Sequence, residues 1–597
     1  MKNTHYFYFL LFIAIGSTTW MACESTPNSE ENEIPQHQGP NIVLVMTDDQ
    51  GWGDLSSHGN DSIETPVLDR LREESVHFDR FYVSPVCAPT RASLLTGRYH
   101  LRTACSWVTH RKEVMRTEEQ TLAEVLKATG YRTGLFGKWH NGKQYPHDPQ
   151  GQGFDEYFGF SAGHWNNFFD TKLTHNQKEI QTEGYLADVL TDAAINFIRQ
   201  NQQQAFFCYV PYNTPHSPLQ VADAYFDKYK AKGLSDYNAA VYGMVENIDD
   251  NMGRLLGALD SMQLRENTIV VFLTDNGPNG RRYNGGMRGI KGKVDEGGVR
   301  VPLFIRWPGG NLKHGTEVKE LVAHIDLMPT LLELCNVKAP KDIQWDGRSI
   351  APLLRGETNA WEARTLFTFP SNRYAEAYPG AVRNPHYRLV IDAQEKLSLY
   401  DMIKDPGQTQ IITDDEYDRA VAMKQAYDSA YAQVTAAGVE PPLIELGHLA
   451  YDRVSLPAPE AKLHGAVKFK ADMGWANDWV ANWTATSDSV VWSVDVVRDG
   501  DYEIQLLYNC AEGQTGSTIA VSANGQSIQT QIEKAFMPDY LPSPDRVERW
   551  EVYEKEWKAL PVGRLALERG KQELVVRATN IPAQEAMELK GLIVQRR

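Results

Sequence analysis

Two acidic-polar pairs and one cysteine-centred run hold the side chains best suited to chemistry. Asp48-Asp49 follows the apolar run 41–47, and Asp275-Asn276 follows the apolar run 268–274. Adjacent carboxylates repel each other, so two such pairs meeting at one edge of a fold make most sense around a hard cation. Oxygen donors without histidine suit Ca²⁺, and Mg²⁺ less well. Helix capping by aspartate is the competing reading for either pair alone, but the same pattern at two equivalent positions favours metal. The third run is Cys87-Ala88-Pro89-Thr90-Arg91. A lone cysteine is most often a buried structural residue. Pro89, however, is preset for the start of a helix, which puts residue 87 beside a helix N-terminus where developing negative charge is favoured.

The elements that must position these groups are legible as alternating runs. Residues 41–47 are continuously apolar, as are 205–210, 268–274 and 301–306, the pattern of strands buried on both faces. Helical periodicities over 65–75, 119–129, 185–200, 235–262 and 324–336 lie between them. Strands alternating with helices predict an α/β fold with a large, mainly parallel sheet flanked by helices on both faces. Its ligand edge is then the carboxyl ends of the strands. Residues 365–436 read as a small antiparallel subdomain ending in a helix near 414–435, and 437–465, punctuated by prolines, as a linker. Residues 466–597 alternate with a period near two (SVVWSVDVV, YEIQLLYNC, STIAVSANG, QELVVRAT), with Asp499-Gly500 and Asn524-Gly525 as turns, which reads as an appended β-sandwich. Trp475, Trp479, Trp483 and Trp492 are assigned to its core, with stacking on sugar rings as the alternative.

Composition narrows the partners. The 597 residues carry a net charge of −17, with 42% hydrophobic and 23% charged residues, which excludes a disordered or multi-span membrane protein and argues against a nucleic-acid binder. Six cysteines are too few and too scattered for a disulfide framework. Residues 1–22 have the layout of a signal peptide of lipoprotein type: Lys2, an apolar run over 6–15, and Ala22 before Cys23. Cys23 is the expected lipid-bearing residue, although Trp20 departs from the usual pattern. Residues 23–40 are Ser/Glu/Pro-rich and read as a solvated tether. The expected location is the periplasm or cell surface of a bacterium.

The run CAPTRASLLTGR (87–98) resembles the sulfatase family, and the resemblance runs from Asn41 to about Asp405, within a main domain read as 41–436, in the blocks NIVLVMTDDQGWGD, GYRTGLFGKWH, NTPHSP, FLTDNG, GIKGKVDEGGVRVP and LYDMIKDP. It implies an alkaline phosphatase-like fold and a sulfuric ester hydrolase in which a maturase oxidises Cys87 to formylglycine. Hydrated, that residue offers one hydroxyl to attack sulfur and a second through which sulfate is expelled. One Ca²⁺ per chain would be held by Asp48, Asp49, Asp275 and Asn276 together with residue 87. Arg91 and Lys138 would steady the diol, and His140 would take its proton. His216 and Lys291 would contact the sulfate, with His216 placed to protonate the departing oxygen, in a preorganised electrostatic cradle. His164, Trp165, Arg281 and Arg282 are the expected leaving-group contacts, while 296–300 shapes a loop. The region 466–597 lies outside the resemblance. With the export signal, these features imply a lipid-anchored enzyme acting on a sulfated oligo- or polysaccharide. A phosphonate or phosphodiester hydrolase of the same superfamily, and an inactive glycan-binding lipoprotein, are the alternatives.

Overall fold

The computed structural model of the chain describes residues 39–340 and 343–597, so the leader, Cys23 and nearly all of the tether lie outside the described residues. Each apolar run forms a strand. A ten-stranded sheet runs in the order Glu317–Val318, Val76–Phe78, Leu303–Arg306, Thr268–Thr274, Asn41–Thr47, Phe206–Pro211, Arg132–Lys138, Glu156–Phe160, Lys172–His175, Lys178–Gln181. The five strands from Thr268–Thr274 to Glu156–Phe160 are parallel. Leu303–Arg306 and the last two strands pair antiparallel. Because side chains alternate along a strand, Ile42, Leu44 and Met46 enter one core with helices Cys87–Thr96, Leu122–Ala128 and Leu327–Leu334. Val43 and Val45 enter the other, with Leu186–Gln200 and Asp236–Ser261. Both faces are covered, which is why these strands are uninterrupted hydrophobic runs.

After the sheet, Leu366–Thr368, Gly380–Arg383, Tyr387–Ile391 and Leu397–Asp401 form a four-stranded antiparallel sheet against the helix Tyr417–Thr435. Buried Glu296 ties it to the catalytic-side loops, accepting from the Tyr82 hydroxyl (2.7 Å) and from Arg388 (3.2 Å). The C-terminal region is β-rich: two six-stranded sheets share one core that contains Trp483 and Trp492. Trp479 is likewise fully buried. The segment read as a linker, 437–465, instead supplies strands Ile444–Leu446, Arg453–Pro457 and Lys462–His464 to these sheets. Its prolines mislead because they stand before or at the ends of strands, where a missing N–H breaks no ladder.

Candidate active site

The in-register parallel pairing of Thr47 with Thr274 sets Asp48-Asp49 beside Asp275-Asn276 at the carboxyl edge of the sheet. Lys138 closes the Arg132–Lys138 strand, His140 follows it, and His216 lies in the turn after Phe206–Pro211. Cys87 is the first residue of the Cys87–Thr96 helix, all ten residues of which are buried. A charge buried at Arg91 therefore requires partners. Its guanidinium reaches Asp275 Oδ2 at 2.7 Å and Asp48 Oδ2 at 3.6 Å, and donates to the Lys138 carbonyl at 3.0 Å. Lys138 Nζ stands 2.5 Å from Asp48 Oδ2, and Lys291 Nζ 2.6 Å from Asp49 Oδ1. Asp49 adopts a left-handed backbone, φ 68°, a conformation aspartate tolerates better than most residues. Its N–H donates to Asp275 Oδ1 and its carbonyl accepts from Arg282, so the turn is held from both ends.

The charges do not satisfy one another completely. Burial opposes ionisation of Asp48, but Lys138, His216, Arg91 and Lys291 together hold its carboxyl below the ordinary range. Asp275 is pushed up to about 7 by burial and by the Asp48 charge, in spite of Arg91. Three buried oxygens, Asp48 Oδ1, Asp49 Oδ2 and Asn276 Oδ1, have no hydrogen-bond partner. The Asn276 amide is oriented by donating to Asp49 Oδ1 at 2.8 Å. Ligand atoms of Asp48, Asp275 and Cys87 lie within 4.8 Å of one another. Unpaired buried oxygens are costly, and an all-oxygen set of this kind fits a hard divalent cation.

The two histidines are oriented by backbone carbonyls, which only accept. His140 Nε2 therefore donates to Val108 O (2.8 Å), leaving Nδ1 buried and unpaired with its lone pair free. Burial, followed by Lys138, drives its pKa well down. Gly163 lies so close that a Cβ there would stand 2.0 Å from His140 Nε2, so only glycine fits against this ring. His216 Nδ1 donates to Ser217 O at 2.6 Å, which leaves Nε2, 3.8 Å from Asp49 Oδ2, protonated only when the ring is charged, a form that burial and Lys291 oppose and Asp49 and Asp48 favour. Burial pushes the Cys87 thiol up, against Lys138 and Lys291.

A cavity of about 190 Å³ opens on Cys87, His140, His216 and Lys291. Of the four expected leaving-group contacts, His164 lines it. Trp165 does not: it stacks on Phe160 (5.0 Å) and donates to Thr171 Oγ1, its apolar body drawn to the sheet edge. Nor is Arg282 available. It is buried, forks onto Asp54 at 2.6–2.9 Å, and serves the Asp49 turn, because a buried guanidinium needs a carboxylate partner. Arg281 is exposed and does not line the cavity. The remaining wall comes from elsewhere: Trp107 and Val108, and from the β-rich region Trp475, Ala476, Trp550 and Glu551. Trp475 thus departs from the core assignment that its three neighbours obey. The signal for Trp550 and Glu551 was the dense aromatic and charged run RWEVYEKEW (549–557) between two alternating strands.

Comparison with known proteins gives the lineage. The profile of the family described as Sulfatase matches residues 40–337, and that of the N-sulphoglucosamine sulphohydrolase C-terminal region matches 291–433. Neither reaches the β-rich region. Mouse steryl-sulfatase is 29% identical over 526 residues, covering 66% of this chain and 82% of its own. Pig N-acetylgalactosamine-6-sulfatase is 32% identical over 382 residues, covering 58% and 71%. Among solved structures, Ps i-CgsB in complex with k-i-k-neocarrahexaose superposes with a TM-score of 0.61 at 28% identity, covering 66% of this chain and 93% of that one.

Proposed function

The chain belongs to the sulfatase family, and from that premise we propose that this sulfate-ester hydrolase acts on a sulfated carbohydrate, with Cys87 converted to formylglycine and one Ca²⁺ at the acidic edge. The observation that carries the reading is the trio of unpartnered buried oxygens on Asp48, Asp49 and Asn276, beside Cys87 and ringed by Arg91, Lys138 and Lys291. Asp48, Asp49, Asp275 and Asn276, with residue 87, would hold the ion, which supplies Lewis-acid stabilisation of charge on oxygen. Residue 87, as the hydrated aldehyde, supplies the attacking hydroxyl and a second one through which sulfate leaves. Lys138 and Arg91 steady negative charge at residue 87. Lys291, held by Asp49 at 2.6 Å, lines the same cavity and would bind the incoming sulfate. The free lone pair on His140 Nδ1 accepts a proton as the second hydroxyl collapses. His216, as the imidazolium, gives its Nε2 proton to the ester oxygen as the alcohol departs.

A carbohydrate leaving group is supported by relatives named for N-acetylgalactosamine sulfate and by a structural neighbour holding a neocarrahexaose. Sugar alkoxides are poor leaving groups, so protonation matters more for them than for a nitrophenol. General acid assistance contributes about 10²–10⁴-fold. His216→Ala is expected to cost most of that range on a sulfated saccharide and clearly less on 4-nitrophenyl sulfate, as measured by kcat/KM on each; equal losses would assign His216 to sulfate binding alone. Rates on an aryl phosphodiester in the same assay separate the phosphodiesterase alternative. An exported enzyme anchored through Cys23 suits a polymeric substrate; labelled fatty acid should enter the mature protein and fail to enter Cys23→Ala.

A further inference from the structure

The cavity wall supplied by the β-rich region has no role in the chemistry above. Glu551 is nine-tenths buried there. Its Oε1 accepts the Ser217 hydroxyl at 2.8 Å, while Oε2 is buried with no partner. Burial opposes ionisation of this carboxyl, and the Ser217 hydroxyl favours it. Across the cavity, His164 donates from Nε2 to Asn166 (2.8 Å), leaving Nδ1 as a second buried, unpaired acceptor, and its ring lies 6.0 Å from that of His216. Above them Trp475 and Trp550 meet edge to face at 5.6 Å, and Trp550 remains 64% exposed at the mouth.

This wall is fixed to the catalytic loops. Arg549 donates to Asn166 O (2.9 Å), and the Asn166 amide donates to Glu554 (2.7 Å). Gln220 donates to Asp545 (2.7 Å), and Asn477 to the His164 carbonyl (2.9 Å). The Glu551 carboxylate is therefore preorganised next to the proton-donating His216. It lies beyond residue 433, outside both family profiles.

Resting on the reading of this site as a sulfatase centre for carbohydrate, we propose that Glu551, Trp475 and Trp550 form the leaving-group subsite and select a hydroxyl-bearing sugar ring with no charge other than the sulfate to be cleaved. A sugar hydroxyl donates to Glu551 Oε2, and the ring's C–H face lies on the exposed indole. A steroid would leave both buried acceptors unpaired, and a second sulfate or a carboxylate on the same ring would meet a fixed negative charge. The volume, about 190 Å³, falls below the ~300–1,000 Å³ of sites for drug-sized ligands, so the subsite takes a single sugar ring.

The test compares wild type, Glu551→Gln and Trp550→Ala on positional isomers of monosulfated galactose and N-acetylgalactosamine, a disulfated galactose, and 4-nitrophenyl sulfate. A hydrogen bond to a charged group corresponds to about 10–100-fold in affinity. Each variant should lose about that factor in kcat/KM on the best monosulfated sugar, chiefly through KM, and lose far less on the aryl ester. Glu551→Gln should also narrow the preference for the monosulfated over the disulfated ring. Equal losses on sugar and aryl ester would show that Glu551 acts only through Ser217 and His216, and unchanged KM values would remove it from the subsite; either overturns the proposal. If wild type cleaves the aryl ester and no sugar, the carbohydrate reading itself fails. Quenching of tryptophan fluorescence by the monosulfated sugars then decides the subsite separately, since binding lost in Glu551→Gln supports it and binding absent from wild type refutes it.

Discussion

Cys87→Ser is expected to abolish steady-state turnover, by a factor on the order of 10⁴ or more, while leaving the fold intact. The two side chains are nearly the same size, and residue 87 opens a helix whose packing is carried by Ala88, Ala92, Leu94 and Leu95. A serine hydroxyl can attack sulfur once, but it has no second hydroxyl through which to expel sulfate, so a stable sulfate ester should accumulate on residue 87. Peptide mass spectrometry reads both ends of the argument. In wild type from a host with the maturase, the peptide carrying residue 87 should be lighter than its thiol form, because C–SH becomes C=O. Every step of ordinary cysteine oxidation adds oxygen and makes it heavier. An intact thiol at residue 87 in fully active enzyme would refute the assignment.

Asp275→Asn carries the second large effect. The amide oxygen still accepts from Arg91, which has Asp275 at 2.7 Å and Asp48 at 3.6 Å, so the buried guanidinium keeps its nearer partner and the fold should survive. Asp275→Ala would remove the nearer partner of that buried charge, which costs up to about 3–5 kcal/mol, so activity lost there would not separate metal loss from unfolding. What Asn removes is one negative oxygen from the set facing Asp48 and Asn276. Bound Ca²⁺ should fall well below one per chain, and kcat should fall by about 10²–10³, the loss typical for removing one electrostatic contact to developing charge. Excess Ca²⁺ should recover part of it. Metal analysis alongside kinetics checks both halves, and full activity in protein verified to be free of metal would overturn the site.

The candidate catalytic set was legible because its motif blocks resemble those of the sulfatase family and its acidic pairs carry a local signal. A buried parallel strand is a continuous apolar run, so the residue after Thr47 or Thr274 is already known to stand at the ligand edge. Cys87 and Arg91 are four apart and face together on one helix turn. The leaving-group wall was not local. Trp165, Arg282 and Trp475 are ordinary residue types whose roles depend on what lies beside them in space. Asp54 turns Arg282 inward, Phe160 draws Trp165 away, and Trp475 rotates out of a core that holds Trp479, Trp483 and Trp492.

Sequence alone therefore predicted the α/β sheet and its ligand edge from strand periodicity, singled out Asp48-Asp49 and Asp275-Asn276 by their place after two such strands, and pointed to the six reactive side chains through the resemblance of their motif blocks to the sulfatase family. Only the tertiary structure decided that the β-rich region closes the site. Glu551 meets Ser217 at 2.8 Å across 334 positions of chain, and no periodicity in either segment encodes that meeting. It arises from the docking of residues 543–554 on the loops around Asn166 and Gln220, where buried polar groups of one segment find partners in the other.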